Sequence, residues 1–499
     1  MSATPLVEAR RLTKTYGGFA ALDGVDFTVM PGEVVCLAGT NGSGKSTLIK
    51  CVSGVEPIDA GQILFSGTEH PAITPTLAMD EGVQVIYQDL SLFPDLPVWE
   101  NVCFQRIGGE KRGWFVKRRE GMAFATMQLA RLGVKVDPKR RVERLSMGER
   151  QSVAIARALA QNAKLVIMDE PTTALPSREV DALLGIVKNL RSQGIATIFV
   201  SHKLDELFAI ADKITIIRDG VKVGDYNPAD LDKEKLGFLM IGKKLDVQPV
   251  DRSAVFSGTP AIELDNLVKE PYYRGVSMAV HPGEVVGLTG LIGSGRTEMA
   301  LSLFGLNPPD GGEVRRNGRP VTVGKPSEAI AAGIGLVSED RQSQGLFLSH
   351  PITTNVTAAI LDRLADRFGL VSLGRELDVG EEWCGKLNVR ASSVLNPAQS
   401  LSGGNQQKVV LAKWLATGPD VLILDSPTVG IDIGSKADIY ELIKTVAAAG
   451  KAVLLISDEA EELEMCANRV LVMQSGEIAA ELAGADATQA KILAAVRGG

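Results

Sequence analysis

The residues Pro31-Gly32-Glu33-Val34-Val35 occur a second time, as Pro282-Gly283-Glu284-Val285-Val286, 251 positions later. At the same offset Gly39 meets Gly290 and Lys45 meets Arg296. Later landmarks keep their order at an offset of 256: Leu145-Ser146 matches Leu401-Ser402, and Asp169-Glu170-Pro171-Thr172 matches Asp425-Ser426-Pro427-Thr428. A repeat of this length is a duplicated domain, not a solenoid unit. A chain of 499 residues is also too long for one ordinary core. We therefore expect a first domain over 1–245, a linker over 246–260, where Asp, Ser, Gly and Pro cluster, and a second domain over 261–499.

Both halves alternate short apolar runs with amphipathic stretches. Leu165–Met168, Ile195–Val200 and Ile214–Ile217 read as strands in half one; Val421–Leu424, Ala452–Ile456 and Val470–Met473 match them in half two. Strands separated by helices imply an α/β fold with a mostly parallel sheet in each half. Residues 90–145 and 341–400 carry helical patterning and read as inserted helical subdomains.

Between the apolar run Val34–Ala38 and the helical run from Leu48 lies Gly39-Thr40-Asn41-Gly42-Ser43-Gly44-Lys45-Ser46-Thr47. It fits G-x-x-x-x-G-K-[ST] in its strand–loop–helix context. The glycines let backbone N–H groups wrap a phosphate, and the helix N-terminus adds partial positive charge. Lys45 is expected to reach the β- and γ-phosphates, and Ser46 to ligate Mg²⁺. The strand Leu165–Met168 ends in Asp169 and Glu170. Asp169 can hold the Mg²⁺ shell, and Glu170 can orient and deprotonate an attacking water.

Composition narrows the alternatives. The formal net charge is −7, which argues against nucleic acid as main partner. Five scattered cysteines include no C-x-x-C pair, so neither a disulfide framework nor a zinc site is suggested. The start, Met1-Ser2-Ala3-Thr4-Pro5, does not read as a signal peptide, and no apolar run reaches the roughly 18 residues that span a bilayer.

Leu145-Ser146-Met147-Gly148-Glu149-Arg150-Gln151 precedes an alanine-rich helical run. Together with the phosphate loop and the carboxylate strand, it resembles the signature motif of ABC-type ATPases. The resemblance implies roles for further residues. Gln88, in Val85-Ile86-Tyr87-Gln88-Asp89, stands at the Q-loop glutamine, where it would also touch Mg²⁺. His202, in Phe199-Val200-Ser201-His202, stands at the switch histidine, and Tyr16 at the aromatic that stacks on adenine.

Half two has the same motifs, altered. Gly290, Gly293 and Gly295 keep the loop, followed by Arg296 and Thr297. A planar guanidinium does not reproduce a compact ammonium. Asp425 keeps the strand-end carboxylate, but Ser426 stands at the base position, Asp458 at the switch position and Glu339 at the Q-loop position. In contrast, Ser402-Gly403-Gly404-Asn405-Gln406 is the better signature, since half one carries Met147 and Glu149 there. ABC ATPase domains resemble one another in pairing head to tail, so the resemblance implies an internal pseudo-dimer. One composite site would join Lys45, Ser46, Gln88, Asp169, Glu170 and His202 to Ser402–Gln406, with Asp432 as its D-loop aspartate. The other would join two defective sets. Pro176 replaces the corresponding D-loop aspartate in half one.

Over nearly its whole length the chain resembles the fused ATPase subunits of bacterial sugar importers, the ribose, galactose and xylose group. The specific marks are Gly290–Glu298, Val337-Ser338-Glu339-Asp340-Arg341 and Leu401–Lys408; Ser426 departs from the group, where glutamate is usual. The resemblance implies ATP and Mg²⁺ as cofactors, and two transmembrane permease subunits as partners. It also implies an extracytoplasmic solute-binding protein and a place at the cytoplasmic face of the inner membrane. The permease-docking surface is expected along Ser91–Trp99, with its large apolar groups exposed. A soluble tandem ATPase acting on ribosomes is the rival reading. It resembles two intact sites joined by a long charged helical linker, which this sequence lacks.

Overall fold

The computed structural model describes residues 4–17, 19–108, 118–172, 175, 177–201, 203–242 and 248–498. His202 and Pro176, singled out above, lie outside the described residues. The chain forms two compact units, Met1–Leu245 and Asp246–Gly499.

In the first unit a six-stranded sheet runs in the order Val221–Tyr226, Lys213–Arg218, Val34–Ala38, Ala196–Val200, Leu165–Asp169, Val83–Ile86. All neighbours are parallel except the edge pair 213–218 and 221–226. Every residue of Val34–Ala38 is buried, which is what a strand covered on both faces requires and why its sequence is continuously apolar. The second unit repeats the plan in the order Ile334–Val337, Val421–Asp425, Ala452–Ile456, Val285–Gly290, Arg469–Gln474, Glu477–Ala483. There too the last pair alone is antiparallel.

Each unit adds a four-stranded antiparallel sheet that the sequence reading did not separate from the parallel one. It comprises Val7–Tyr16, Phe19–Val29, Ala60–Phe65 and Thr68–Glu69 in the first unit. In the second it comprises Ile262–Lys269, Tyr273–Val280, Gly311–Arg316 and Arg319–Val321. Leu12, Phe27, Phe65, Val35, Leu37 and Leu48 form one buried cluster, so the two sheets of the first unit close on the helix that follows the phosphate loop.

Helices fill the expected inserts: Val98–Gly108 and Arg118–Arg131 in the first unit, Ile352–Thr357, Leu361–Leu364 and Leu373–Lys386 in the second. The Ser91–Trp99 stretch is less exposed than its composition suggested. Val98 and Trp99 are buried, and Phe93, ring to ring with Phe104 at 4.6 Å, is the exposed aromatic. The segment expected as a linker is bonded to the second unit over part of its length. Val250 N–H donates to Met465 O, and Asn468 Nδ2 donates to Asp251 O.

Candidate functional site

The first phosphate loop joins the strand Val34–Ala38 to the helix Lys45–Val52. Two positions admit only glycine. A Cβ on Gly39 would strike the Ile217 carbonyl and lie 2.5 Å from Ser43 Oγ; one on Gly44, at φ 108°, would lie 2.5 Å from Ala21 O. The loop is thereby pressed against the sheet, and its backbone curls toward the cleft. Lys45 is buried, with Nζ donating to Gly39 O and Thr40 O, each at 2.8 Å. The ammonium thus spans the loop it belongs to.

A cleft of about 280 Å³ opens over this loop, lined by Asn41, Lys45, Ser46, Thr47, Gln88, Asp169 and Glu170 among others. Nine of the expected site residues in the first half, Gly42 and Gly44 included, therefore face one space. Tyr16 ends its strand beside the same helix, where its hydroxyl meets Thr47. Glu170 follows the strand in the left-handed region, at φ 48°, with its N–H on Val200 O at 3.1 Å. This strained backbone turns the side chain off the strand and into the cleft. Burial, reinforced by the adjoining Glu170 carboxylate and opposed by Lys45, raises the Asp169 pKa. A half-buried carboxylate in that state, with the Ser46 hydroxyl and Gln88 amide on the same cleft, is a set of hard oxygen donors that suits Mg²⁺.

One functional group escaped the sequence reading. Glu206, a buried carboxylate, accepts from Thr172 Oγ1 and Ser201 Oγ, both at 2.7 Å. Thr172 lies two residues after Glu170, and Ser201 immediately precedes His202. Glu206 therefore ties the loop carrying the expected base to the loop carrying the expected switch. Nothing in its local sequence marks it, because the Thr172 partner is 34 residues away and a Ser five residues before a Glu is no signal by itself.

The second loop repeats the cradle. A Cβ on Gly290 would strike Met473 O, and one on Gly295 would lie 2.5 Å from Tyr272 O. Ser426 even keeps the left-handed turn of Glu170, at φ 49°, with its N–H on Ile456 O at 2.9 Å. The side chains differ. Arg296 Nη1 pairs with Asp458 Oδ1 at 2.5 Å and also lies 3.4 Å from Ser457 O. Burial raises the Asp425 pKa to about 6, with Glu339 reinforcing and Thr297, Arg296 and Ser426 opposing. The second-half counterparts of the Glu206 tie are buried and still adjoin one another, Glu462 lying against Ser457 and Thr428, but Thr428 Oγ1 falls short of hydrogen-bond geometry.

The two signatures diverge in a way only partly visible in sequence. Ser146 closes a capping box: its Oγ accepts from Glu149 N at 3.2 Å, and Glu149 Oε2 accepts from Ser146 N at 2.9 Å. Glu149 is further bonded to Arg140 at 2.9 Å. The S-x-x-E spacing signals this box, whereas the sequence reading gave Glu149 only as a departure from the better signature of half two. Ser402 makes no side-chain cap to its helix Gly403–Ala416; its Oγ accepts from Asn405 Nδ2 at 2.9 Å. The first N–H groups of that helix are therefore left for another acceptor. Gly403 and Gly404 are held by packing. A Cβ on Gly403 would lie 2.9 Å from Arg341 Nη2, and one on Gly404 would lie 2.5 Å from Ser435 Cβ. Gln406 turns inward, donating to Leu401 O at 3.2 Å, so its side chain is not on the open face. Asp432 caps the next helix, accepting from Ser435 N at 3.1 Å.

Two phosphate cradles, each on a parallel sheet with a strand-end carboxylate and a helical insert carrying a signature, define a tandem P-loop protein of the cassette class. The ABC transporter family pattern matches residues 22–173 and 273–429. The chain is 44% identical over 498 residues to a ribose import ATP-binding protein RbsA 2 of Rubrobacter xylanophilus, covering 99% of this chain and 95% of that one. It is 43% identical to an RbsA 2 of Streptomyces avermitilis (99% and 97% covered) and 39% identical to an RbsA of Geobacillus kaustophilus (99% and 100%). The chain belongs to the ABC transporter family, as a tandem ATP-binding member.

Proposed function

We propose that the chain is the ATP-hydrolysing subunit of an importer that carries a monosaccharide or sugar-like solute through a membrane permease. The observation that supports this most is similarity along the whole chain to proteins named for ribose import, including the altered second half. Two permease subunits and an extracytoplasmic solute-binding protein complete the assembly, with this chain peripheral at the inner face. Among the described residues no helix is long and apolar enough to cross a membrane.

One site turns over. In it the loop N–H groups and Lys45 bind the nucleotide phosphates, and Tyr16 supports the adenine. Glu170 holds the attacking water and takes its proton, with Gln88 and His202 positioning the γ-phosphate. Ser46, Asp169 and Gln88 hold Mg²⁺, which neutralises developing phosphate charge when bound. The signature that serves this chemistry is that of half two, because its helix N-terminus is uncapped. The second loop, with Arg296, Ser426 and Asp458, is the poor site.

The test is reconstitution of the chain with its permease in liposomes. ATP hydrolysis stimulated by solute-loaded binding protein, together with uptake of that solute, supports the reading. Association with ribosomes in place of a membrane permease overturns it.

A further inference from the structure

We propose that the second phosphate loop is latched by an internal ion pair, in which Asp458 occupies the guanidinium that a nucleotide phosphate would otherwise take. The proposal deepens the reading of that loop as a nucleotide site and rests on it. It goes beyond a missing base, because it concerns whether nucleotide is held at all.

The backbone of this loop is not the defect. Gly290 and Gly295 make the same close approaches as Gly39 and Gly44, and Ser294 is buried like Ser43. The cationic side chain behaves differently. Lys45 lies along its own loop, on the carbonyls of Gly39 and Thr40. Arg296 instead reaches to the end of the strand Ala452–Ile456, where it meets Ser457 O and the Asp458 carboxylate. The Arg296 side chain is 10% exposed and that of Asp458 56%. The carboxylate thus sits at the solvent side of a nearly buried guanidinium.

Two substitutions relative to half one, lysine to arginine and histidine to aspartate, are therefore one device. Neither partner makes this contact alone: an ammonium at position 296 is shorter and lacks the fork, and a neutral imidazole at 458 offers no charge. An arriving phosphate meets both consequences with the same sign. It must compete with a carboxylate for Arg296, and it must sit close to that carboxylate's negative charge in a partly desolvated place. The site should accordingly bind a nucleoside triphosphate weakly until Asp458 is neutralised.

The full-length chain carrying Lys45→Ala, which silences the first loop, is titrated with a fluorescent ATP analogue and Mg²⁺. Adding Asp458→Asn, an isosteric change at a half-exposed position, is expected to tighten binding at least tenfold. Asp458→Glu keeps the charge and is expected to leave binding weak. Arg296→Ala on top of Asp458→Asn is expected to abolish the gain. Unchanged or weaker binding with Asp458→Asn overturns the latch, as does a gain that survives Arg296→Ala. If circular dichroism shows every variant folded and none binds analogue at millimolar concentration, the nucleotide reading of this loop falls, and the latch with it.

Discussion

The two halves share a scaffold and differ in what hangs from it. Backbone features that cost conformational energy persist in both: the glycines pressed against sheet carbonyls, and the left-handed turn at Glu170 and at Ser426. The side chains proposed to do chemistry persist in only one. The turn at Ser426 aims a hydroxyl where its twin aims a carboxylate. Lys45 spans its loop, whereas Arg296 is drawn off to Asp458. The signatures show the reverse polarity, closed on itself in half one and open in half two. Folding thus constrains the cradle in both halves, while the side chains upon it diverge.

The comparison breaks most visibly at the base. Glu170→Gln is expected to bind ATP but to lose more than about a hundredfold in ATPase rate, since a general base contributes ~10²–10⁴. Steady-state phosphate release from the assembled transporter measures it. Retention of more than about a tenth of the rate would remove Glu170 from that role.

The next largest effect concerns the tie between loops. Glu206→Gln weakens a carboxylate that accepts two short hydrogen bonds. Hydrogen bonds to a charged group contribute about 1.5–3 kcal/mol, so a kcat loss of about tenfold is expected, with ATP affinity within about threefold. Glu462→Gln, where the Thr428 contact falls short of hydrogen-bond geometry, should leave kcat within about twofold. Equal losses would mean that the tie is structural in both halves.

How much of this was legible in the chain follows from locality. The phosphate loops, carboxylate strands and signatures are contiguous motifs, and the parallel strands were readable because burial on both faces makes them continuously apolar. The antiparallel sheets were not separated, since their half-exposed strands alternate and carry charges such as Glu8, Arg10 and Lys14. The Glu206 tie and the Arg296–Asp458 pair join residues 34 and 162 positions apart. Sequence showed that residues 296 and 458 were altered, but not that the alterations meet.

A smaller effect separates the signatures. Ser402→Ala is expected to lower ATPase several-fold, and Ser146→Ala less than about twofold, because the Ser146 hydroxyl is already engaged in its own helix cap. Losing that cap costs about 1 kcal/mol of stability, so Ser146→Ala should register in a melt rather than in turnover. These alanines are cleaner probes than aspartates at Gly148 or Gly404. A Cβ there would lie 2.7 Å from Glu179 Oε2 or 2.5 Å from Ser435 Cβ.

The smallest effect is in stability against pH. Burial raises the pKa of Glu462 to about 7 from its ordinary value of 4.5. Between those values the folded second half binds more protons than the unfolded chain, so its stability falls as pH rises from 4.5 to 7. Glu462→Gln should flatten that slope in calorimetric melts of the full chain. An unaltered slope would assign the pH dependence elsewhere.

The central claim is that half two keeps the cradle but has lost the chemistry at several points at once. Because Ser426 holds the backbone geometry of Glu170, the base can be returned to its own place by Ser426→Glu in the Glu170→Gln chain. Phosphate release by that double variant, assembled with permease, tests the claim most directly. Arg296, Asp458 and the self-capped signature of half one remain, so the account predicts a rate below about a tenth of wild type. Recovery to half the wild-type rate or more would contradict it, and would make the missing carboxylate the sole difference between the halves.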